Sequence, residues 1–238
     1  MQKPTPGLKR VALAFALAIS AGVFAITPAM AQNQQMEQKL MAIKTAQDAN
    51  KAKLAQYTWT ETETISIKGD VKDTKTYQVQ MVNGKAQKTL VNDQKAQSGG
   101  REGRAKERII EKKTEEYDEY GQSISVLAKQ YTTPNPQALM AAKQAGNISL
   151  QPGSGTVSLV IKNYVKQGDS VTMTISEQTH SPVSVQVNSY LSDPKDAVTI
   201  AAQFAQLPDG TNHVASSLIN GVSKQLTVND QNSNYQKQ

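Results

Sequence analysis

The chain has no cysteine, two histidines, one tryptophan and three phenylalanines among its 238 residues. The missing thiols exclude a disulfide framework, a thiolate nucleophile, thiolate-held zinc or iron–sulfur centres and a lipid-modified N-terminal cysteine. With only His180 and His213 available, a His-rich metal cage is excluded as well. Each histidine stands beside a turn signal, Ser181-Pro182 or Pro208-Asp209-Gly210, and both read as surface loop residues. There is no Gly-x-Ser-x-Gly elbow, and neither Gly99-Gly100 nor Gly153-Ser154-Gly155 is followed by the Lys-Ser/Thr of a phosphate cradle. The expectation is a protein that is not an enzyme and has no cofactor or metal. Charges of both signs, 26 basic and 20 acidic, are mixed without a sustained basic face, so nucleic acid is not an expected partner.

Long apolar runs are scarce too, and the one present lies at the N-terminus. Lys3, Lys9 and Arg10 precede the apolar residues 11–26, and Ala29-Met30-Ala31 supplies small residues at −3 and −1 of a cleavage site. This is the pattern of a secretory signal peptide over 1–31, cut after Ala31, with an apolar core short for a bilayer span. The expected location is periplasmic or secreted. Removing three basic side chains and no acidic ones leaves a mature charge of +3. The mature chain reads as a monomer with one domain over 32–230 and a polar tail over 231–238.

Met36, Leu40, Ile43 and Leu54, with Ala46 and Ala49 between them, recur near the spacing of an amphipathic helix over 36–54. At Tyr57 the period changes to two. In YTWTETETISIK the odd-numbered residues 57–67 point one way and the threonines the other. Further strands are expected at 76–82 and, after an Asn83-Gly84 hairpin, at 85–91. The polar, glycine-bearing residues 92–104 read as a loop. A second helix follows over 105–129, with Ile109, Ile110, Tyr117, Tyr120, Ile124 and Leu127 on one face and Gly121 as its weak point. Pro134 and Pro136 punctuate it, and a third helix over 137–145 is capped by Gly146.

From 157 the chain is strand-like, with strands expected at 157–165, 171–177, 183–191, 197–206, 212–218 and 222–228. They are separated by Gly168-Asp169, Ser181-Pro182, Asp193-Pro194, Pro208-Asp209-Gly210 and Asn220-Gly221. No separator has room for a crossover helix, so the pairing must be antiparallel. About nine strands, each apolar on one side, need covering by three helices. The predicted class is α+β, with a curved antiparallel sheet, an incomplete barrel, wrapped partly round its helices.

This order of signal peptide, amphipathic helix, strands opening on YTWTETET, central helices and further strands resembles the periplasmic lipoprotein-carrier superfamily typified by LolA and LolB. It is similar also to the N-terminal domain of RseB-type envelope-stress regulators. The resemblance implies a half-barrel closed by helices around a hydrophobic cavity for acyl chains. The lid-locking arginine of the carriers has no counterpart here, since the first three strands contain no Arg.

The function this implies is an exported, noncatalytic envelope protein that binds a lipid or a lipid-modified protein. The ligand would lie between the helices and the apolar sheet face of Trp59, Ile65, Ile67, Tyr77, Val79, Met81, Val171, Met173 and Ile175. Alternatively those residues form a filled core, and the helix region 101–127, which opens on Arg101 and ends at Leu127, docks another envelope protein. Glu61 and Glu63, side by side on one strand face, read as solvent-facing charges at a cavity rim rather than an acid–base pair.

Overall fold

In the computed structural model the described residues are 30–95, 104–132 and 135–238; side chains are described from Gln38 onward, except those of Leu40, Lys95 and 104–114. The expected signal peptide as far as Ala29, residues 96–103 of the loop expected over 92–104, and the side chains of Ile109 and Ile110 lie outside them. Three helices, α1 (Met30–Leu54), α2 (Arg104–Thr132) and α3 (Pro136–Gln144), accompany ten strands. The strands are β1 (Tyr57–Ile67), β2 (Asp70–Val82), β3 (Lys85–Lys95), β4 (Ile148–Pro152), β5 (Thr156–Lys162), β6 (Ser170–Ser176), β7 (Pro182–Tyr190), β8 (Ala197–Gln206), β9 (Asn212–Gly221) and β10 (Leu226–Lys237). The bond Ala31–Gln32 falls in the first turn of α1. No described helix is long and apolar enough to cross a membrane.

All ten strands form one antiparallel sheet in the order β3-β2-β1-β10-β9-β8-β7-β6-β5-β4. The class is α+β, with a curved sheet that does not close: β3 and β4 remain its edges. Turn chemistry sets the first of the expected hairpins where the sequence places it. Asn83 (φ 51°) and Gly84 (φ 74°) both occupy the left-handed region, as a tight two-residue hairpin requires.

β10 joins the two groups of strands by pairing with β1 from Ile67↔Leu226 to Tyr57↔Lys237. The expected last strand, 222–228, is displaced. β9 runs through Asn220-Gly221, the turn lies at 222–225, and β10 continues through residues read as a polar tail. Gly221 is a close-approach glycine instead of a turn residue. A Cβ there would lie 2.5 Å from Ile124 Cδ1 and 2.7 Å from Tyr120 Cε1, so α2 can cross β9 at this point only over a bare backbone.

Three further differences have physical causes. β2 starts at Asp70 and not at Thr76, because Asp73 and Lys75 turn inward and pair with each other at 2.6 Å. β3 continues to Lys95, past the expected end at Val91, held by pairing with β2. α2 passes through Gly121 unbroken, with the glycine buried against Leu226. A short β4, absent from the expectation, extends the far edge.

The main core lies where α2, α3 and the middle of α1 cover β4 to β10. Ile43, Ile124, Tyr131, Met173, Ile175 and Ile200 are among its most buried side chains. Even its polar contacts are completed. Buried Asp169 accepts from the backbone N–H groups of Tyr164, Val165 and Lys166 at 2.6, 2.9 and 2.9 Å. The Tyr131 hydroxyl donates to the same carboxylate at 2.6 Å, tying α2 to the β5–β6 turn.

Candidate functional site

The inner faces of β1, β2 and β10 carry charge where the main core carries hydrocarbon. Alternation places Tyr57, Trp59, Glu61, Glu63 and Ile65 on the covered side of β1, all buried. Glu61 and Glu63 are 4% and 2% exposed, which overturns their reading as solvent-facing charges. They share a face with Trp59 and Ile65, and covering those two side chains covers the carboxylates as well. Glu63 stands opposite Lys75 on β2 and Asp230 on β10, and Asp230 opposite Ser217 on β9, so a polar rung crosses four strands.

These charges are only partly met. Lys88 of β3 donates to Glu61 Oε1, and the Ser217 hydroxyl donates to Asp230 Oδ2 at 2.9 Å. Glu63 Oε1 and Asp230 Oδ1 have no hydrogen-bond partner among the described residues. Burial, aided by repulsion from Glu61 and Asp73, outweighs the attraction of Lys75 and Lys88 and pushes the Glu63 carboxyl up to about 7. Burial also raises Asp230 to about 7, with Glu61 and Glu63 repelling its charge and Lys88 and Ser217 opposing the rise.

Beyond this rung, towards the Asn83-Gly84 hairpin, the sheet and the C-terminal half of α1 bound a cavity of about 520 Å³. That volume suits a small-molecule ligand. Leu54, Trp59, Met81, Met173, Phe204 and Tyr235 make its apolar walls, and Glu61, Lys88, His213, Ser217, Asp230 and Asn232 its polar ones. Asn50 bolts α1 over one side of it. Its amide donates to Asn212 O at 2.8 Å, and Asn212 N–H donates back to Asn50 Oδ1 at 2.6 Å.

Tyr235 reaches this face through a register shift. Between Thr58 and Thr60, β10 carries one extra residue (Thr58↔Gln236, then Thr60↔Ser233), and Asn234 within it has φ 54°. The insertion changes the phase of alternation, so Tyr235 joins the inner side. Its ring stacks on Trp59 with centroids 5.5 Å apart and meets His213 at 4.1 Å. Burial raises the Tyr235 hydroxyl and lowers the His213 imidazole, so the latter is neutral at neutral pH. His213 is thus a buried residue of β9 and not the surface loop histidine expected; His180 is exposed, in a turn.

The residues singled out from the sequence fall into three places. Trp59, Met81 and Met173 line the cavity. Tyr77 and Val79 form a small apolar cluster with Trp59, against which Met81 and Tyr235 pack. Ile65, Val171 and Ile175 lie in the main core, and Ile67 packs against it. The sequence reading did not find Lys88, His213, Ser217, Phe204, Asp230, Asn232 or Tyr235. Four of these sit in or beside strands whose polar composition hid an inward face, and no spacing signal marks them. Among the described residues no group of three or more potential ligands is placed to hold a metal ion.

No protein-family model matches the sequence, and no curated protein matches it. Among solved structures, the chain is similar to a domain from Vibrio parahaemolyticus described as an outer membrane lipoprotein-sorting protein domain. The identity is 8%, with 82% of this chain and 91% of that chain covered and a TM-score of 0.41. It is similar also to a LolA superfamily protein from Nitrosomonas europaea, at 6% identity over 83% of this chain and 93% of that chain, with a TM-score of 0.35.

Proposed function

We propose that this chain is an exported, noncatalytic binding protein of the cell envelope, and that the cavity beneath α1 takes the apolar chain of a lipid or a lipid-modified protein. The observation that supports this reading is the pocket of about 520 Å³, partly apolar in its lining, beside the main core. Apolar side chains facing such an open pocket stay in contact with water, and a bound chain removes that surface from it. Met81 and Phe204 offer such a surface beside the buried Trp59 and Met173, while the polar wall holds the other end of an amphipathic molecule.

Trp59 is the single tryptophan of the sequence, so its fluorescence reports on the cavity directly. Titration of the mature protein with a cis-parinaroyl or brominated oleoyl chain is expected to quench Trp59 saturably. Ala46→Trp, which fills the cavity from the α1 side, is expected to abolish binding of a fluorescent acyl chain while leaving the thermal transition in place. Chain binding that survives Ala46→Trp, or no quenching by any acyl chain, overturns the proposal.

A further inference from the structure

The cavity has an inner end and an open mouth. Met173 of β6 and Ser217 of β9, 1% and 4% exposed, lie at the inner end, whereas Asp48 and Lys51 of α1 and Gly84 of the β2–β3 hairpin are exposed at the mouth. Lys51 Cε lies 3.4 Å from where a Cβ on Gly84 would stand, so helix and hairpin flank the same opening.

Neither side of the cavity can give way without loss. Every strand from β3 round to β6 contributes to its lining, and each of these strands is hydrogen-bonded to the next in one continuous sheet. Widening the sheet side would part a ladder and leave backbone groups unpaired. On the helix side, α1 is fastened by the reciprocal hydrogen bonds of Asn50 and Asn212 and by Ile43, which is 1% exposed in the main core. The space open to a ligand is therefore set by the fold, at about 520 Å³.

A methylene group packed at the density of a protein interior takes about 27 Å³, close to a water molecule's share of the liquid. A chain of about 16–18 carbons then occupies roughly 430–490 Å³ and fills the cavity, whereas two such chains need roughly 900 Å³. A second chain would stay in water, and its methylenes would release none of the free energy of burial. Admitting it under α1 would mean drawing Ile43 out of the core and parting Asn50 from Asn212.

From this we infer that the cavity is a single-chain site: its ligand is a monoacyl amphiphile with one chain of up to about 16–18 carbons and its polar end at the mouth, and lipids with two or more such chains are excluded. The inference rests on the cavity taking an apolar chain, and it adds how many chains enter and how long they are. Phe204 and Ala46, which line the cavity from β8 and α1, are then length-determining residues.

The test has two arms. In the first, the mature protein is incubated with vesicles of dioleoyl phosphatidylcholine carrying a minor share of 1-oleoyl lysophosphatidylcholine, then separated from them and weighed by native mass spectrometry. One lysolipid per protein molecule is expected, enriched at least about tenfold over its share of the vesicles. In the second, saturated lysophosphatidylcholines of increasing chain length displace cis-parinaric acid from the protein. Affinity is expected to rise about fourfold per added methylene and to level off at about 16–18 carbons. Phe204→Ala, which removes the ring, is expected to move that limit about three or four carbons longer, and Ala46→Leu, which adds three carbons to the wall, about three shorter. If one variant fails to fold, the other makes the same comparison. Diacyl lipid bound at its vesicle share, two lysolipids per protein molecule, or a length limit that a folded variant leaves in place overturns the inference but not the proposed chain binding. Failure of every lipid to bind overturns the chain-binding reading instead.

Discussion

The same sheet is built in two ways on its two sides. Under α2 and α3, strands β4 to β8 present Val, Ile, Leu and Met inward, and their one deeply buried carboxylate, Asp169, accepts from three backbone N–H groups and a hydroxyl. Under α1, strands β1, β2 and β10 present Glu61, Glu63, Asp73, Lys75 and Asp230, several without full partners, beside a cavity. The first arrangement minimises folding free energy. The second leaves desolvated groups unmet, which a structure retains where a ligand is to meet them. In the proposed reading, stability and binding are divided between the two halves of one sheet.

Truncating each half tests that division most strongly. Ile200→Ala, at a fully buried main-core position, is expected to cost about 2–5 kcal/mol in denaturant unfolding. A cost near 1 kcal/mol would mean that the main core is loosely packed, and the contrast would vanish.

The next effect comes from acid and base. Glu63 and Asp230 are raised on folding to about 7, so the folded state holds their protons more tightly than the unfolded state does. Their contribution to stability is complete below the ordinary carboxylate range and is lost as pH rises through about 7. Unfolding free energy is expected to fall by up to about 3 kcal/mol per group between pH 5 and 8, and Glu63→Gln to flatten part of that slope. A stability that rises steadily over this interval would show that both carboxylates are met by positive charge in the fold.

Gly221→Ala forces Tyr120 and Ile124 off β9, with an expected cost of about 1–3 kcal/mol and a lowered Tm. Met81→Ala on the cavity wall is expected to cost about 1 kcal/mol or less, since the side chain is only partly buried, yet to weaken acyl-chain binding measured through Trp59. A larger stability loss at Met81 than at Gly221 would assign the cavity side to the core.

Much of the fold was legible because turn chemistry and two-residue alternation are local signals. The Asn83-Gly84 hairpin, the three helices and the antiparallel meander from β5 to β8 follow from them directly. The candidate site was less so. Alternation in YTWTETET shows which residues share a face but not whether that face is covered, and the charges of Glu61 and Glu63 argued for solvent. The residues 231–238 look like a tail because their apolar content is low. What makes them a strand is pairing with β1, some 170 residues earlier in the sequence, together with one inserted residue that turns Tyr235 inward. Long-range pairing of this kind has no signature in a local window.

That pairing also has a consequence for biogenesis. The three-stranded meander of β1 to β3 acquires its inner neighbour only when the final strand emerges, so β1 travels through synthesis with one long side bare. A bare strand side templates association with other chains, and closing so large a loop is slow. Whatever shields the nascent polypeptide must therefore stay with it until β10 arrives, and the step that seals the sheet is the same step that assembles the polar wall of the cavity.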